Sequence, residues 1–366
     1  MSNVTRKLIL EDGTTFVGEA FGGSSDKAGE VIFYSGMTGY QEMLTDPSYC
    51  QHIVVMTNPT IGTYGINRED SQSFTPTISG MIVREVVHEP SNFRSVESID
   101  EYLKKYDIPS ISGIDTRMLT TYLRKNGSMK GYIVDGAIDS LEEAKQVVQK
   151  EELLVEKIAK MKPYIIPGNG KRIVVIDLGV KQSLLRELME RNFHITVVPY
   201  HYDATRILHF QPDGILVSNG PGNPQHVPET IATVKSLLGK LPIFAVGLGH
   251  LIFALASGAK TKKLKTGQFG NHFPVKDVMN DRTWFVTKSS HNTVDEASLN
   301  NLDLSVTYRA LNDGAIEGLL HEKYPAFSVQ FHPEGAPGSS ETSFLFDQFQ
   351  RMIEQNELNG GLHEDA

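Results

Sequence analysis

The sequence has little of what marks several large classes of protein. It contains one cysteine, Cys50, among 366 residues, which excludes an internal disulfide. No apolar run approaches the ~18 residues that a membrane-spanning helix needs. The N-terminal residues hold no apolar region of the signal-peptide type. These absences predict a cytoplasmic protein with no membrane partner.

The chain also has no excess of positive charge. The chain has 35 Lys and Arg against 44 Asp and Glu, a net charge of -9, which offers no general attraction for nucleic acid. A short basic cluster at Lys260, Lys262, Lys263 and Lys265 is interpreted as a solvated turn, with a binding patch as the alternative. Apolar residues make up 40% of the chain, enough for buried cores, and the length predicts two or three domains.

The first part of the chain, residues 1–160, has the pattern of an α+β domain. Residues 7–18 alternate apolar and polar side chains around an Asp-Gly pair, which predicts a hairpin. Short strand-like runs follow, and helical patterns then cover residues 98–105, 116–125 and 140–152. Two prolines and two glycines within residues 161–170 indicate a linker.

The second part, residues 171–366, alternates strands with helices. Continuous apolar runs at 172–177, 214–218 and 242–246 are typical of strands buried on both faces. The alternation predicts an α/β fold with a mainly parallel sheet flanked by helices. In such a sheet, sites form where loops leave the carboxyl ends of the strands.

Three of these strand ends carry candidate site residues. In residues 218–224, Gly220 and Gly222 flank a proline, and their N–H groups suit an oxyanion or anion cradle, with a plain tight turn as the alternative. In residues 245–251, a strand enters a helix through a sharp turn, the geometry that holds a nucleophile in other enzymes. The central position of that turn is Gly247, which has no side chain.

The third strand end is an apolar strand that finishes in His332-Pro333-Glu334. An imidazole beside a carboxylate suits a general base with its orienting acid, although such a pair also occurs as a structural feature. His250, just after the turn at Gly247, is interpreted as a packing or hydrogen-bonding residue.

Taken in this order, the three motifs resemble those of a class I, triad-type glutamine amidotransferase domain. The whole chain is similar to the small-subunit family of glutamine-dependent carbamoyl-phosphate synthetase. The narrower resemblance is carried by residues 36–49, 65–67 and 113–117 of the N-terminal part.

The resemblance implies a chemistry and a set of roles. In the family, an elbow cysteine attacks the glutamine side-chain amide, and the released ammonia passes to a large synthetase subunit. That subunit makes carbamoyl phosphate from bicarbonate, ammonia and ATP for arginine and pyrimidine synthesis. The resemblance places His332 and Glu334 as base and orienting acid. It implies glutamine contacts at these positions: Ser48, Gly220, Gly222, Leu248, Leu251 and Ser290.

The departures from the family pattern lie around the nucleophile. The family elbow is Gly-x-Cys-Leu-Gly-His-Gln, whereas this chain has Gly247 for the cysteine and Leu251 for the substrate-holding glutamine. The family segment Ser-Gln-Asn-His has become residues 288–291, Lys-Ser-Ser-His, in a loop one residue shorter. Cys50 is not expected to replace the lost thiol.

The sequence thus predicts a small subunit that supports carbamoyl phosphate formation in a heterodimer while its own glutaminase is lost or severely impaired. One alternative is a non-catalytic binding or regulatory protein, and another is hydrolysis by a water that His332 activates. No phosphate-loop signature or metal-ligand spacing occurs. ATP and magnesium are therefore expected on the large subunit, and no cofactor on this chain.

Overall fold

A computed structural model of the chain describes residues 4–138, 140–147 and 154–364. The chain divides into two compact units. The first comprises Met1–Glu152 with Lys265–Gly270, and the second comprises Leu153–Leu264 with Asn271–Ala366. Both mix helices and strands, which confirms the predicted fold class. Within the described part of the chain, no helix is both long and apolar enough to cross a membrane.

The first unit is built on a closed seven-stranded barrel. The strand order is β1-β2-β8-β6-β4-β3-β9, in which β3, β4, β6 and β8 run parallel to their neighbours within that group and the remaining pairs are antiparallel. A short pair, β5 and β7, forms a separate sheet. The elements are β1 Thr5–Leu10, β2 Thr15–Gly22, β3 Lys27–Tyr34, α1 Tyr40–Thr45, a 3₁₀ turn Pro47–Tyr49, β4 His52–Met56, β5 Thr60–Ile61, β6 Gly80–Ile82, β7 Glu85–Val86, α2 Ile99–Lys105, β8 Pro109–Ser112, α3 Thr116–Asn126, β9 Met129–Asp135 and α4 Leu141–Val147.

Local sequence signals account for several of these elements. The predicted hairpin is present as β1 and β2, and Gly13 takes the left-handed conformation, φ 87°, that its turn requires. Helix α2 begins at a capping box in which Ser98 and Glu101 satisfy each other's backbone N–H groups. The helix predicted over 140–152 is seen as α4, and residues 148–152 lie outside the described ranges.

Phe269 shows why a segment from late in the chain belongs to the first unit. Its side chain is 2% exposed and packs in this unit's apolar core. Its ring lies 5.3 Å from that of Tyr49 and 5.4 Å from that of His52, measured between centroids. The backbone carbonyls of Phe269 and Lys265 accept hydrogen bonds from the N–H groups of Ser35 and Ser128.

The second unit is built on a ten-stranded sheet with the order β10-β12-β11-β13-β14-β19-β18-β17-β15-β16. The strands from β12 to β19 in that order are parallel, and β10, β18, β17 and β15 add antiparallel pairs. The elements are α5 Leu154–Ile158, β10 Tyr164–Ile166, β11 Arg172–Asp177, α6 Gln182–Glu190, β12 His194–Pro199, α7 Ala204–Leu208, β13 Gly214–Val217, a 3₁₀ turn Pro224–His226, α8 Pro228–Leu237, β14 Ile243–Val246, α9 Leu248–Ala256, β15 Thr261–Asp277, β16 Thr283–Val294, a 3₁₀ turn Glu296–Leu299, β17 Leu304–Ala310, β18 Ile316–His321, β19 Ala326–Val329 and α10 Phe344–Glu364.

Strand β11 explains the continuous apolar runs of this part of the sequence. Val174 and Ile176 belong to the apolar cluster on one face of the sheet, and Ile173 and Val175 belong to the cluster on the other face. Since helices cover both faces, the four central positions, residues 173–176, are all buried and all apolar.

The structure corrects the predicted linker and boundary. Residues Tyr164–Ile166, inside the predicted linker 161–170, form strand β10 and pair antiparallel with β12, with Ile165 opposite Thr196. The division between the units falls at Glu152 and Leu153 rather than near residue 160, and Lys265–Gly270 returns to the first unit. The proline and glycine pattern marks the ends of an edge strand, which is where prolines are tolerated in a sheet.

Candidate functional site

Three strand ends meet at one edge of the second unit's sheet. Strands β13, β14 and β19 lie side by side and parallel, with Val217 opposite Ala245 and Val246 opposite Val329. Their carboxyl ends therefore open at the same place. The three motifs that the sequence singled out follow these strands directly, and the structure brings them together.

Gly247 forms the sharp turn between β14 and α9. Its backbone has φ 61° and ψ -114°, a conformation that L side chains rarely adopt. A Cβ atom at this position would lie 3.2 Å from Cβ of Asn219 and 4.0 Å from Cε1 of His332. A side chain at residue 247 would therefore stand beside the imidazole, which is the relation a nucleophile has to its base.

The loop after β13 holds the predicted oxyanion glycines. A Cβ atom on Gly220 would lie 2.2 Å from the carbonyl oxygen of Leu178, so only glycine allows this close approach. The buried Asn219 fixes the loop, because its amide donates to the carbonyl of Gly179 at 3.0 Å and accepts from the N–H of Lys181 at 3.3 Å. The oxyanion role of Gly220 and Gly222 stays a prediction.

His332 stands at the end of β19 with a carboxylate on one side. Its Nδ1 lies 3.1 Å from Oε1 of Glu334, and both side chains are buried. The backbone N–H of His332 donates to the carbonyl of Thr287 at 2.9 Å, which ties the strand end to β16. A carboxylate at Nδ1 favours the tautomer with the proton on Nδ1 and leaves Nε2 as the basic nitrogen.

Lys181 completes this buried charge cluster and was not found from the sequence. Its Nζ lies 2.8 Å from Oε1 of Glu334, and neither side chain is exposed to solvent. The ammonium also donates to the carbonyl of Ala336 at 2.5 Å. A lysine that follows a buried strand by four residues was the available signal, since lysine is almost never fully buried without an ionic partner.

The charge state of Glu334 follows from these neighbours. Burial disfavours the carboxylate, but the charge of Lys181 and the imidazole of His332 outweigh it and hold the pKa of Glu334 well below its usual range. Glu334 is therefore ionised at neutral pH and positions a proton on His332 rather than taking it.

The hydroxyl that meets the imidazole belongs to Ser289. Its Oγ lies 2.6 Å from Nε2 of His332. The neighbouring Ser290 donates its hydroxyl to the carbonyl of Asn292 at 2.8 Å and accepts from that residue's N–H at 3.1 Å. Its role as a glutamine contact stays a prediction. Residues of a strand alternate between faces, so Ser289 shares a face with Thr287, which lies opposite His332. That alternation could have identified Ser289.

The neighbouring Lys288 points into the protein interior. Its ammonium pairs with the buried carboxylate of Glu317. Burial raises the pKa of Glu317, although the charge of Lys288 opposes the rise. Lys288, which stands where the family segment has serine, therefore forms a buried structural ion pair in this unit.

Helix α9 behind the elbow is buried along nearly its whole length. Leu251 is 1% exposed and belongs to the apolar cluster of one sheet face, and Leu248 packs in the same cluster. Nδ1 of His250 lies 2.9 Å from the hydroxyl of Ser328. Burial, with a smaller effect of Lys288, lowers the pKa of His250 to about 3. His250 is therefore a neutral structural residue, as predicted.

Ser48, the predicted glutamine contact of the first unit, lies in a short 3₁₀ turn. The turn is capped by Asp46, whose carboxylate accepts from the N–H of Ser48 at 2.8 Å. Ser48 is buried, as is Cys50 two residues later. The role of Ser48 toward glutamine stays a prediction.

Comparison with known proteins follows the same division of the chain. The family model for the carbamoyl-phosphate synthase small chain, CPSase domain, matches residues 8–133, and the model for glutamine amidotransferase class-I matches residues 174–352. The carbamoyl phosphate synthase small chain of Oceanobacillus iheyensis is 48% identical over 97% of this chain and 98% of its own length.

Two further relatives show the same extent of similarity. The carbamoyl phosphate synthase pyrimidine-specific small chain of Halalkalibacterium halodurans is 48% identical over 96% of this chain and 98% of its own. The small chain of Listeria monocytogenes is 45% identical over 98% of this chain and 99% of its own. The similarity therefore extends over both units.

Proposed function

This chain belongs to the carbamoyl-phosphate synthase small-chain family, and from that premise we propose that it serves a large synthetase subunit without hydrolysing glutamine itself. The complex would form carbamoyl phosphate from bicarbonate, ATP and free ammonia, for pyrimidine or arginine synthesis. The single observation that carries the proposal is the glycine at position 247, beside an otherwise complete base and carboxylate.

The missing thiol removes the covalent step. Without a side chain at residue 247, no glutamyl thioester forms, and a base such as His332 has no thiol to deprotonate there. Loss of an essential nucleophile in a triad enzyme costs several orders of magnitude in rate. Cys50 offers no substitute, since it is 1% exposed in the core of the first unit.

Leucine at position 251 also removes a hydrogen-bonding contact with the glutamine substrate. The family holds the glutamine substrate with an amide side chain at this position, and Leu251 has no hydrogen-bonding group. Its side chain packs instead in the apolar cluster. Polar groups of a bound glutamine would be left unpaired here, at a cost of roughly 1–3 kcal/mol for each buried group. The absence of both the thiol at Gly247 and the amide at Leu251 supports a subunit that neither binds nor hydrolyses glutamine.

What remains supports a role in the complex. Both family models match, that of the small-chain CPSase domain over residues 8–133 and that of the amidotransferase over residues 174–352. We infer that the subunit binds and stabilises the large subunit, which would hold ATP and magnesium.

The test measures two products with one preparation. The chain is co-purified with its large subunit and supplied with ATP, Mg²⁺ and bicarbonate, first with glutamine and then with ammonium chloride. We expect no ammonia release from glutamine, and carbamoyl phosphate formation from ammonium chloride. A small chain with cysteine at the elbow serves as the positive control for ammonia release.

Two results would overturn parts of the proposal. Carbamoyl phosphate formed from glutamine at a rate near that from ammonia would show that glutamine hydrolysis survives without an elbow cysteine. Failure to co-purify with the large subunit would instead favour a binding or regulatory protein that has left the synthetase.

A further inference from the structure

Ser289, His332 and Glu334 form a chain of three groups with the order of a serine hydrolase triad. The hydroxyl oxygen lies 2.6 Å from Nε2 of His332, and Nδ1 lies 3.1 Å from Oε1 of Glu334. Both distances fall within the range for a nucleophile, its base and the group that orients the base. All three residues belong to the second unit.

The charges favour the reactive tautomer. Because Lys181 keeps Glu334 ionised, the carboxylate favours a proton on Nδ1. Nε2 then carries a lone pair that accepts the hydrogen bond from the hydroxyl of Ser289. A serine hydroxyl is weakly nucleophilic alone, and a base in this position is what activates it.

The surroundings leave room at the imidazole. Ser289 is half-buried rather than enclosed. Gly247 places no side chain in the position 4.0 Å from Cε1 of His332. The next residue, Leu248, begins helix α9, and the first N–H groups of a helix have no acceptor within it, which would suit the N–H of Leu248 to a developing oxyanion.

We propose that Ser289, with His332 as base and Glu334 as orienting acid, is the nucleophile of an acyl-transfer reaction on carboxylic esters at the site where the elbow cysteine is missing. The hydroxyl oxygen of Ser289 attacks the ester carbonyl carbon while its proton passes to Nε2 of His332. The tetrahedral intermediate collapses, the carbon–oxygen bond to the alcohol breaks, and the alcohol leaves with the proton from His332. Water then attacks the acyl-serine, gives a proton to His332, and releases the acid as the serine regains its hydrogen.

Glutamine is not the substrate of this site. The apolar Leu251 stands where the family has its substrate-holding amide, and an amide is a harder leaving group than an alkoxide. The proposed activity is therefore separate from glutamine hydrolysis and goes beyond the proposed role in the synthetase.

A fluorophosphonate probe tests the nucleophile directly on the full chain without the large subunit. In this reaction the oxygen of Ser289 displaces fluoride from phosphorus, and its proton goes to His332. We expect one adduct, located at Ser289 by tandem mass spectrometry. Labelling should disappear in Ser289→Ala, and its rate should fall at least about 100-fold in His332→Ala, the usual contribution of a positioned base.

A matched control separates activation from exposure. Ser236, on helix α8, is exposed and its hydroxyl donates to a backbone carbonyl, with no base at hand. The variant Ser236→Ala should label as the parent does. Hydrolysis of p-nitrophenyl acetate should show the same order among the variants, with a burst of one acyl group per chain if deacylation is slow.

Three outcomes would overturn the proposal. These are no labelling of the folded parent, labelling at a residue other than Ser289, and labelling that persists in Ser289→Ala. Circular dichroism and the fluorescence of Trp284 show whether each variant is folded, and Ser289→Thr, which keeps the hydroxyl, should retain part of the labelling. Since the large subunit is absent, none of these outcomes bears on the proposed function.

Discussion

Replacing Lys181 with methionine should destabilise the second unit strongly. Methionine keeps most of the length of the lysine stem and removes its charge. The partner carboxylate of Glu334 lies 2.8 Å away and has no exposure to solvent. Removing one partner of a buried ion pair leaves an uncompensated charge, which costs about 3–5 kcal/mol. We expect a loss of that size in the free energy of unfolding.

Trp284 provides an assay that reports on this unit. It is the single tryptophan of the chain and lies in β16, where its ring packs against Phe344 and Arg282. Urea unfolding followed by tryptophan fluorescence therefore monitors the second unit. The matched control is Lys171→Met, because Lys171 pairs with Glu357 at the surface of the same unit. Removal of an exposed pair costs less than about 1 kcal/mol.

The pH dependence gives an independent check with a definite sign. The pKa of Glu334 is lowered on folding, so the unfolded chain binds the proton more tightly. Its stabilising contribution is present above the unfolded pKa, about 4.3, and is lost as the pH falls through the lower folded pKa. In Lys181→Met the burial of Glu334 loses its main opposing charge, so the pKa of Glu334 rises and protonation relieves the strain.

The loss in stability of Lys181→Met relative to the parent should therefore shrink between pH 8 and pH 5. The double variant Lys181→Met/Glu334→Gln should recover most of it at both values. A loss no larger than that of Lys171→Met, or one that is constant with pH, would refute the account of a buried ion pair.

Three further predictions concern other positions. Gly247→Cys and the control Gly247→Ala should each lower the free energy of unfolding by about 1–3 kcal/mol, since both force a side chain onto a backbone with positive φ. Ammonia release from glutamine by Gly247→Cys should stay near zero. Full activity of that variant would contradict the role given to Leu251. The parent should lose about 2 kcal/mol of stability between pH 7 and pH 5 through His250, because the pKa of this group is about 3 in the folded chain and about 6.5 in the unfolded chain, so that only the unfolded chain takes up the proton. In urea unfolding, the stability of His250→Asn should fall by about 2 kcal/mol less than that of the parent over the same pH range. Equal pH slopes for the variant and the parent would contradict this prediction. Ser98→Ala should cost about 1 kcal/mol and speed hydrogen exchange in α2, and unchanged exchange there would show that the capping box contributes nothing.

The parallel sheet and its site edge could be predicted because they rest on local patterns. Continuous apolar runs mark strands buried on both faces, and the clusters on either side of β11 show the reason. The alternation of strands and helices predicts that the motifs at Gly220, Gly247 and His332 lie at the carboxyl ends of strands, and the structure adds that these three strands are adjacent.

The remaining features depend on contacts between residues far apart in the sequence. Lys181 and Glu334 are separated by 153 positions, and no local pattern pairs a lysine with a distant carboxylate. Strand β10 was missed because its prolines and glycines resemble a linker, whereas pairing with β12 gives it its conformation. Ser289 was not identified because the resemblance aligns residues by type, while strand alternation decides which side chain faces His332.

The return of Lys265–Gly270 to the first unit bears on how this protein can be divided or recombined. Phe269 fills a place between Tyr49 and His52, and loss of a buried phenylalanine costs about 3–5 kcal/mol. A fragment that stops after residue 160 would therefore be made with a hole in its core and with the N–H groups of Ser35 and Ser128 deprived of their acceptors. A chimera that exchanged only the continuous N-terminal part of the chain would combine the new barrel with a Lys265–Gly270 segment from a different protein. An exchange of the first unit between related proteins must therefore include a segment encoded more than a hundred codons downstream of its main part.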